Sequence, residues 1–144
     1  MKNKILVIGL GYVGLPLALN LAKYNQVYGY DKSEFRIDEL KKKIDRNGEI
    51  KKKFFLKKNI KFFSYKDSLP NDSNIFIISV PTPVDDSNKP DLKALSAACS
   101  LVSKKYKRND IVIIESTIAP GTTENFCLNI LSKNTKIRKD KIKI

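Results

Sequence analysis

The chain contains no histidine at all. That removes a His-Asp relay, a histidine general base and any histidine metal ligand from the chemistry open to it. Its two cysteines, Cys99 and Cys127, stand at no metal-binding spacing and form no disulfide framework, so the expected setting is a reducing cytoplasm and no metal is expected. No apolar run approaches the roughly 20 residues that span a bilayer, and no membrane partner is expected. Internal repeats, linkers and low-complexity domains are also lacking. At 144 residues the chain can bury one real core but is too short for two ordinary domains.

Acidic residues are scarce relative to basic ones, 15 against 28, for a formal charge of +13. The excess is spread over Lys41–Lys43, Lys51–Lys53, Lys57 with Lys58, Lys104 with Lys105, Lys107 with Arg108, and a tail of lysines from Lys133 to Lys143. Such charge can serve as a nucleic-acid footprint or attract phosphorylated substrates. Its scatter, with no helix-turn-helix or RNA-binding signature beside it, favours solvated faces and no nucleic-acid partner. Phe54, Phe55, Phe62, Phe63 and Tyr65 interleave with the lysines, and they are expected to pack under a helix and in a strand rather than stack on bases.

The first residues, Met1-Lys2-Asn3-Lys4 before an apolar stretch, mimic a signal peptide. Three glycines, Pro16 and Asn20 interrupt that stretch, and another reading explains each glycine. Ile5 to Ile8 is a β-branched run expected to form a strand buried on both faces, and it leads into Gly9-x-Gly11-x-x-Gly14. An apolar-periodic segment, Leu15 to Tyr24, follows as a helix. Strand, glycine turn and helix in that order make a dinucleotide-binding site the expectation. Gly9 permits the tight turn, Gly11 lets the backbone approach a pyrophosphate, and Gly14 lets helix and strand pack closely. The N–H groups around Tyr12 and Val13, at the positive end of the helix dipole, are placed to hold phosphate oxygens. A second strand, Gln26 to Tyr30, ends on Asp31, about 20 residues past the glycines, where a carboxylate accepts from ribose hydroxyls and repels a 2′-phosphate. NAD is therefore expected over NADP, with Lys32 and Arg36 nearby tempering the preference.

Beyond Asp31, Ser33 can cap a helix from Glu34 to Asp45 with Phe35, Ile37, Leu40 and Ile44 on its apolar stripe. Residues 49–59 are lysine-rich, with room for a short helix carrying Phe54, Phe55 and Leu56. Strands are expected at Ile60–Ser64, Ile75–Val80 and Ile111–Ile114. Asp91 can cap a helix from Leu92 to Tyr106, and a last helix runs from about Thr123 to Leu131, with Cys99 and Cys127 facing the core. Lys141 to Ile144 alternates like the start of another strand. The alternation of strands and helices predicts an α/β fold, a single-domain, doubly wound parallel sheet of the Rossmann type. Four segments then gather at the carboxyl ends of its strands: the glycine turn, Asp31, Pro81-Thr82-Pro83, and Ser116 to Thr123.

Ile8-Gly-Leu-Gly-Tyr-Val-Gly-Leu-Pro16, Val80-Pro-Thr-Pro83, Lys89-Pro-Asp-Leu92 and Glu115-Ser-Thr-Ile-Ala-Pro-Gly-Thr-Thr123 together resemble the UDP-glucose/GDP-mannose dehydrogenase family. The second and third of these are most similar to its branch acting on UDP-N-acetylhexosamines for surface polysaccharides. The resemblance implies oxidation of a nucleotide-sugar C6 alcohol to a carboxylate with two NAD⁺, through a cysteine thioester. By the same resemblance Gly9, Gly11, Tyr12, Val13 and Gly14 hold the pyrophosphate, Asp31 and Arg36 the adenosine end, and Thr82 and Thr123 line the cofactor. Thr117 stands near the nicotinamide, where it would position the water or the reacting oxygen. Family members are much longer and dimerise through a linker domain. The motifs of the nucleophilic cysteine and its lysine and asparagine helpers are not found here, and the catalytic glutamate would come just beyond Ile144. The chain is accordingly expected to be a cofactor domain truncated before the linker and substrate domains, binding NAD weakly and without turnover. The competing expectations are a stand-alone NAD-sensing or nucleic-acid-binding module and a dehydrogenase of the 3-hydroxyacid group. Pro81-Thr82-Pro83 and the Thr117 segment count against the latter.

Overall fold

Five short apolar strands form the centre of the computed structural model, which describes residues 3–56 and 58–144. Met1, Lys2 and Lys57 lie outside the described residues, and with them the start of the leader-like segment and one lysine of the Lys57–Lys58 pair. In chain order the elements are β1 (Lys4–Ile8), α1 (Gly14–Leu21), β2 (Gln26–Tyr30), α2 (Glu34–Lys41), β3 (Ile60–Phe63), β4 (Ile75–Ile78), α3 (Lys93–Ser103), β5 (Ile111–Ile114) and α4 (Leu128–Thr135). All neighbours pair in parallel, in the order β3-β2-β1-β4-β5. The chain therefore winds outward from β1 in one direction, crosses back over residues 64–74, and winds outward from β4 in the other. The reversal leaves a switch point between β1 and β4, the place where open α/β sheets take ligands. Doubly wound, as expected, is what the chain is.

Helices cover both faces of the central strands, so successive residues of β1, β2 and β4 are buried and these strands read as near-continuous apolar runs. Ile111 and Ile113 on the edge strand β5 are exposed. Ile5, Val7, Val27 and Ile77 pack against Leu15, Ala18 and Leu19 of α1 and Ile37 and Leu40 of α2. Leu6, Ile8, Phe76, Ile78 and Val112 pack on the opposite face against Leu95, Ala98, Cys99 and Val102 of α3 and Leu131 of α4. Each fully buried aliphatic side chain contributes roughly 2 kcal/mol of transfer free energy.

Several boundaries differ from the sequence expectation. Helix α2 stops at Lys41 rather than Asp45. Lys43 adopts the left-handed conformation, with φ 62°. Its N–H donates to the Leu40 carbonyl, and the Ile44 N–H donates to Glu39. That is the bond pair of a Schellman stop, made here without the usual glycine. Phe35 and Ile44 consequently point to solvent, and only Ile37 and Leu40 of the expected stripe enter the core. The short helix expected in residues 49–59 is a 3₁₀ turn, Lys52–Phe55, which buries Phe55 and leaves Phe54 and Leu56 exposed. Phe62 and Phe63 pack as strand residues, while Tyr65 is exposed.

Helix α1 ends at Leu21, and the cap expected on α2 forms, with Ser33 Oγ accepting from the Arg36 N–H. Helix α3 runs from Lys93 to Ser103 rather than Leu92 to Tyr106; its cap position is Leu92, and Asp91 Oδ1 accepts from the Lys93 N–H just ahead of it. A π-helical turn, Thr123–Cys127, leads into α4, which runs on past Leu131 to Thr135. The expected extra strand is represented by one parallel bridge, Lys143 with Ile111 on the outer edge of β5, and by the buried side chain of Ile142. Among the described residues no helix is long and apolar enough to cross a membrane, and no cluster of three potential metal ligands occurs.

Candidate cofactor-binding site

The register aligns Ile8 with Tyr30 and Ile78, and Ile78 with Ile114. All four special segments therefore leave the sheet along one edge. The turn after β1 is the most constrained of them. Gly9 has φ +92°, and a Cβ there would stand 2.2 Å from the Ser79 carbonyl oxygen. A Cβ on Gly14 would meet the Gly9 carbonyl oxygen at 1.9 Å. Both positions need glycine for the chain's own packing. Gly11 does not: its φ is ordinary, and a Cβ would meet nothing within 4 Å. Among the described residues the N–H groups of Gly11, Tyr12 and Val13 donate to no protein acceptor, and all three residues are exposed in front of α1. Open space over bare N–H groups at a helix start fits a pyrophosphate approaching closely.

Asp31 joins this turn directly. Its Oδ2 accepts from the Leu10 N–H at 3.0 Å and its Oδ1 from the Ser33 N–H at 2.9 Å. A carboxylate has about four acceptor positions, so two remain for ribose hydroxyls. Burial, and then the Asp31 charge, push the neighbouring Tyr30 phenol upward, which keeps it neutral at physiological pH.

Arg36 is placed differently from its expected role at the adenosine end. It is 7 % exposed and lies under the turn, with Nε and Nη2 donating to the Leu10 carbonyl at 3.0 and 2.9 Å. Its Nη2 is also 2.7 Å from the buried Asp45 carboxylate. Two of its three nitrogens are thus committed to the protein.

Two loops form the other half of the site. The expected segment Ser116 to Thr123 lies beside the expected Pro81-Thr82-Pro83, and side chains tie them together. Ser116 Oγ accepts from the Val80 N–H at 2.9 Å and donates to the Val80 carbonyl at 2.7 Å. The Thr82 hydroxyl donates to the Thr117 carbonyl. Thr117 itself is exposed on this edge, and Thr123, half-buried, opens the π-helical turn. Residues 84–90 fold back on themselves through Asp85, whose Oδ1 accepts from the N–H groups of Ser87 and Lys89.

A cleft of about 770 Å³ opens between the strand ends and helix α3, with Gly9, Asp31, Val80 and Pro81 on one side and Ala97 and Leu101 of α3 on its wall. An apolar cavity of this size beside a carboxylate suits an adenosine moiety. Cys99 and Cys127 are fully buried, and the neighbouring Cys127 sulfur together with burial pushes the Cys99 thiol upward. Sequence reasoning missed Ser116 as an individual residue and Asp45 altogether. Ser116 lay inside a segment already singled out, whereas nothing near Asp45 signalled a role.

Comparison with known proteins follows from this geometry. The model of the UDP-glucose/GDP-mannose dehydrogenase family, NAD binding domain, matches residues 3–144. Protein CapL of Staphylococcus aureus is 42% identical over 133 residues, covering 92% of this chain and 31% of that protein. UDP-N-acetyl-D-glucosamine 6-dehydrogenase of Pseudomonas aeruginosa is 40% identical over 139 residues, 96% of this chain and 33% of that protein. Among solved structures, UDP-D-ManNAc dehydrogenase from Pyrococcus horikoshii superposes with a TM-score of 0.81 at 32% identity, covering 96% of this chain and 34% of that one. The chain thus spans about a third of the length of the relatives it matches.

Proposed function

Because the chain belongs to the UDP-glucose/GDP-mannose dehydrogenase family, as an NAD-binding domain, we propose that it is the cofactor half of a nucleotide-sugar 6-dehydrogenase. The names of the relatives that print a substrate favour a UDP-N-acetylhexosamine as the sugar, and the family resemblance implies its oxidation at C6 from alcohol to carboxylate with two NAD⁺ reduced. The supporting observation is the bond from the Leu10 N–H to Asp31, which makes the acid and the glycine turn one unit at the switch point.

When bound, NAD supplies the hydride acceptor. The protein's part is to hold it. Asp31 accepts from the adenosine ribose hydroxyls and disfavours a 2′-phosphate by charge repulsion. Gly11, Tyr12 and Val13 offer their N–H groups to the pyrophosphate, with Gly9 and Gly14 shaping the turn behind them. Thr82 fixes the Thr117 carbonyl, which leaves the exposed Thr117 hydroxyl to orient the water or the reacting oxygen at the nicotinamide end. Thr123 borders the same end. The basic faces are solvated surface, and the enzyme is cytoplasmic.

Both cysteines lie in the core with no exposed sulfur to capture an aldehyde, so these 144 residues alone should carry no UDP-sugar through to the carboxylate. Calorimetric titration of NAD against NADP tests the site itself. NAD should bind at least about tenfold more tightly, and Asp31→Ala should erase the difference. Equal affinity for the two cofactors in the unaltered chain would sink the reading.

A further inference from the structure

A planar trans peptide points its C=O and its N–H in opposite directions, so fixing one aims the other. The structure holds the two peptides at the head of the glycine turn in this way. The Gly9–Leu10 peptide is fixed by its N–H on Asp31, and its carbonyl is thereby turned toward Gly14. The Leu10–Gly11 peptide is fixed by its carbonyl, which receives two donors from the Arg36 fork. That bond aims the Gly11 N–H to the opposite side, where no protein group meets it and a Cβ would have open space.

Arg36 can do this only if its own position is fixed. A buried guanidinium needs a counter-charge, and Asp45 supplies it at 2.7 Å with a side chain 1% exposed. Asp45 is fixed in its turn, because Oδ2 accepts from the N–H groups of Glu49 and Ile50 at 3.1 and 3.0 Å. Burial pushes the Asp45 carboxyl up, but Arg36 and the Ile50 N–H outweigh it and hold the group below the ordinary carboxylate range. The charge pair is therefore intact at neutral pH.

We propose that Asp45 is a positioning residue of the cofactor site, holding Arg36 so that its fork orients the Leu10–Gly11 peptide and presents the Gly11 N–H to the pyrophosphate. The residue touches no ligand itself and acts through Arg36. This inference rests on reading the turn as the pyrophosphate seat.

The test compares the 144-residue chain with Asp45→Asn and Arg36→Lys, using ¹⁵N NMR, circular dichroism and NAD calorimetry. Arg36→Lys keeps the buried charge pair but loses the planar fork. In each variant the Gly11 amide resonance should move and its hydrogen exchange accelerate, while the amide of Val112 stays put. The dissociation constant for NAD should rise about tenfold at preserved secondary structure. A pair that only stabilises the fold would lower the melting temperature and leave the Gly11 amide and the NAD affinity of the folded protein unchanged, which overturns the proposal. Failure of both variants to fold overturns it too, in favour of a structural ion pair. If the unaltered chain binds no NAD, the functional reading has failed, and the Gly11 amide still decides whether the relay exists.

Discussion

The turn after β1 and the two loops after β4 and β5 leave the same edge of the sheet, yet they are held by different means. The turn is fixed by sterics and buried charge. Two of its glycines admit no Cβ, and Asp31 and the Arg36–Asp45 pair grip its Leu10 peptides from either side. The loops are stitched by hydroxyls, Ser116 to both ends of Val80 and Thr82 to Thr117, at half-buried or exposed positions. In the first region the groups that shape the turn are ones the fold itself needs, Gly9, Gly14 and the buried Arg36–Asp45 pair. In the second, the groups available for chemistry cost the fold little. On the proposed reading, a site divided in this way could change what it does at the nicotinamide end while its adenosine end stays fixed.

The largest effect that would test the contrast is at Gly9. Gly9→Ala places a Cβ against the Ser79 carbonyl and forces alanine into a positive φ, at a combined cost of roughly 2–6 kcal/mol. Against the 5–15 kcal/mol expected for a whole domain, that is a large share of the stability and should lower the melting midpoint by roughly 5–25 °C. A thermal melt with near-normal midpoint would show that the turn is less constrained than its geometry implies.

Gly11→Ala should separate the two roles inside the turn. With open space and an ordinary φ at this position, stability should stay within about 0.5 kcal/mol of the parent. Any change should be toward a slight gain, because alanine has fewer unfolded states to lose. NAD affinity should nonetheless fall about tenfold or more, since the new methyl occupies the space in front of the bare N–H groups. Melting and calorimetry on one sample read both. Unchanged affinity would mean that the pyrophosphate does not approach there.

How much of this was legible beforehand differs between the regions in the same way. Strand, glycines, helix and acid form a local pattern, and local patterns can be read from spacing, so the turn and the acid bonded to it could be read as local structure. Arg36 was foreseen as a ligand contact and is found as a support beneath the turn. The reason lies at the end of α2. In a continuous helix to Asp45, Arg36 and Asp45 would sit on opposite faces, at about 100° per residue. The left-handed stop at Lys43 turns the chain back and brings them together. A lysine at that stop carries no sequence signal, because the position usually calls for glycine or asparagine. The segment holding Ser116 was legible from its place after β5. Its double bond to Val80 was not, because that contact is made between strands far apart in sequence.

Ser116→Ala is the smallest perturbation and the sharpest probe of the second region. The substitution removes an acceptor from the Val80 N–H and a donor from its carbonyl, 36 residues away in sequence. Val80 is only half-buried, so water can replace the hydroxyl on both groups and the loss should be about 1 kcal/mol rather than the full penalty of two orphaned groups. Thr82 keeps its own bond to Thr117, so the loops should loosen without parting. NAD affinity should then fall no more than about threefold, because the adenosine end is held elsewhere. Loss of the folded state in Ser116→Ala would place the loops on the same footing as the turn, and the division of the site into a fixed end and an adjustable end would no longer stand.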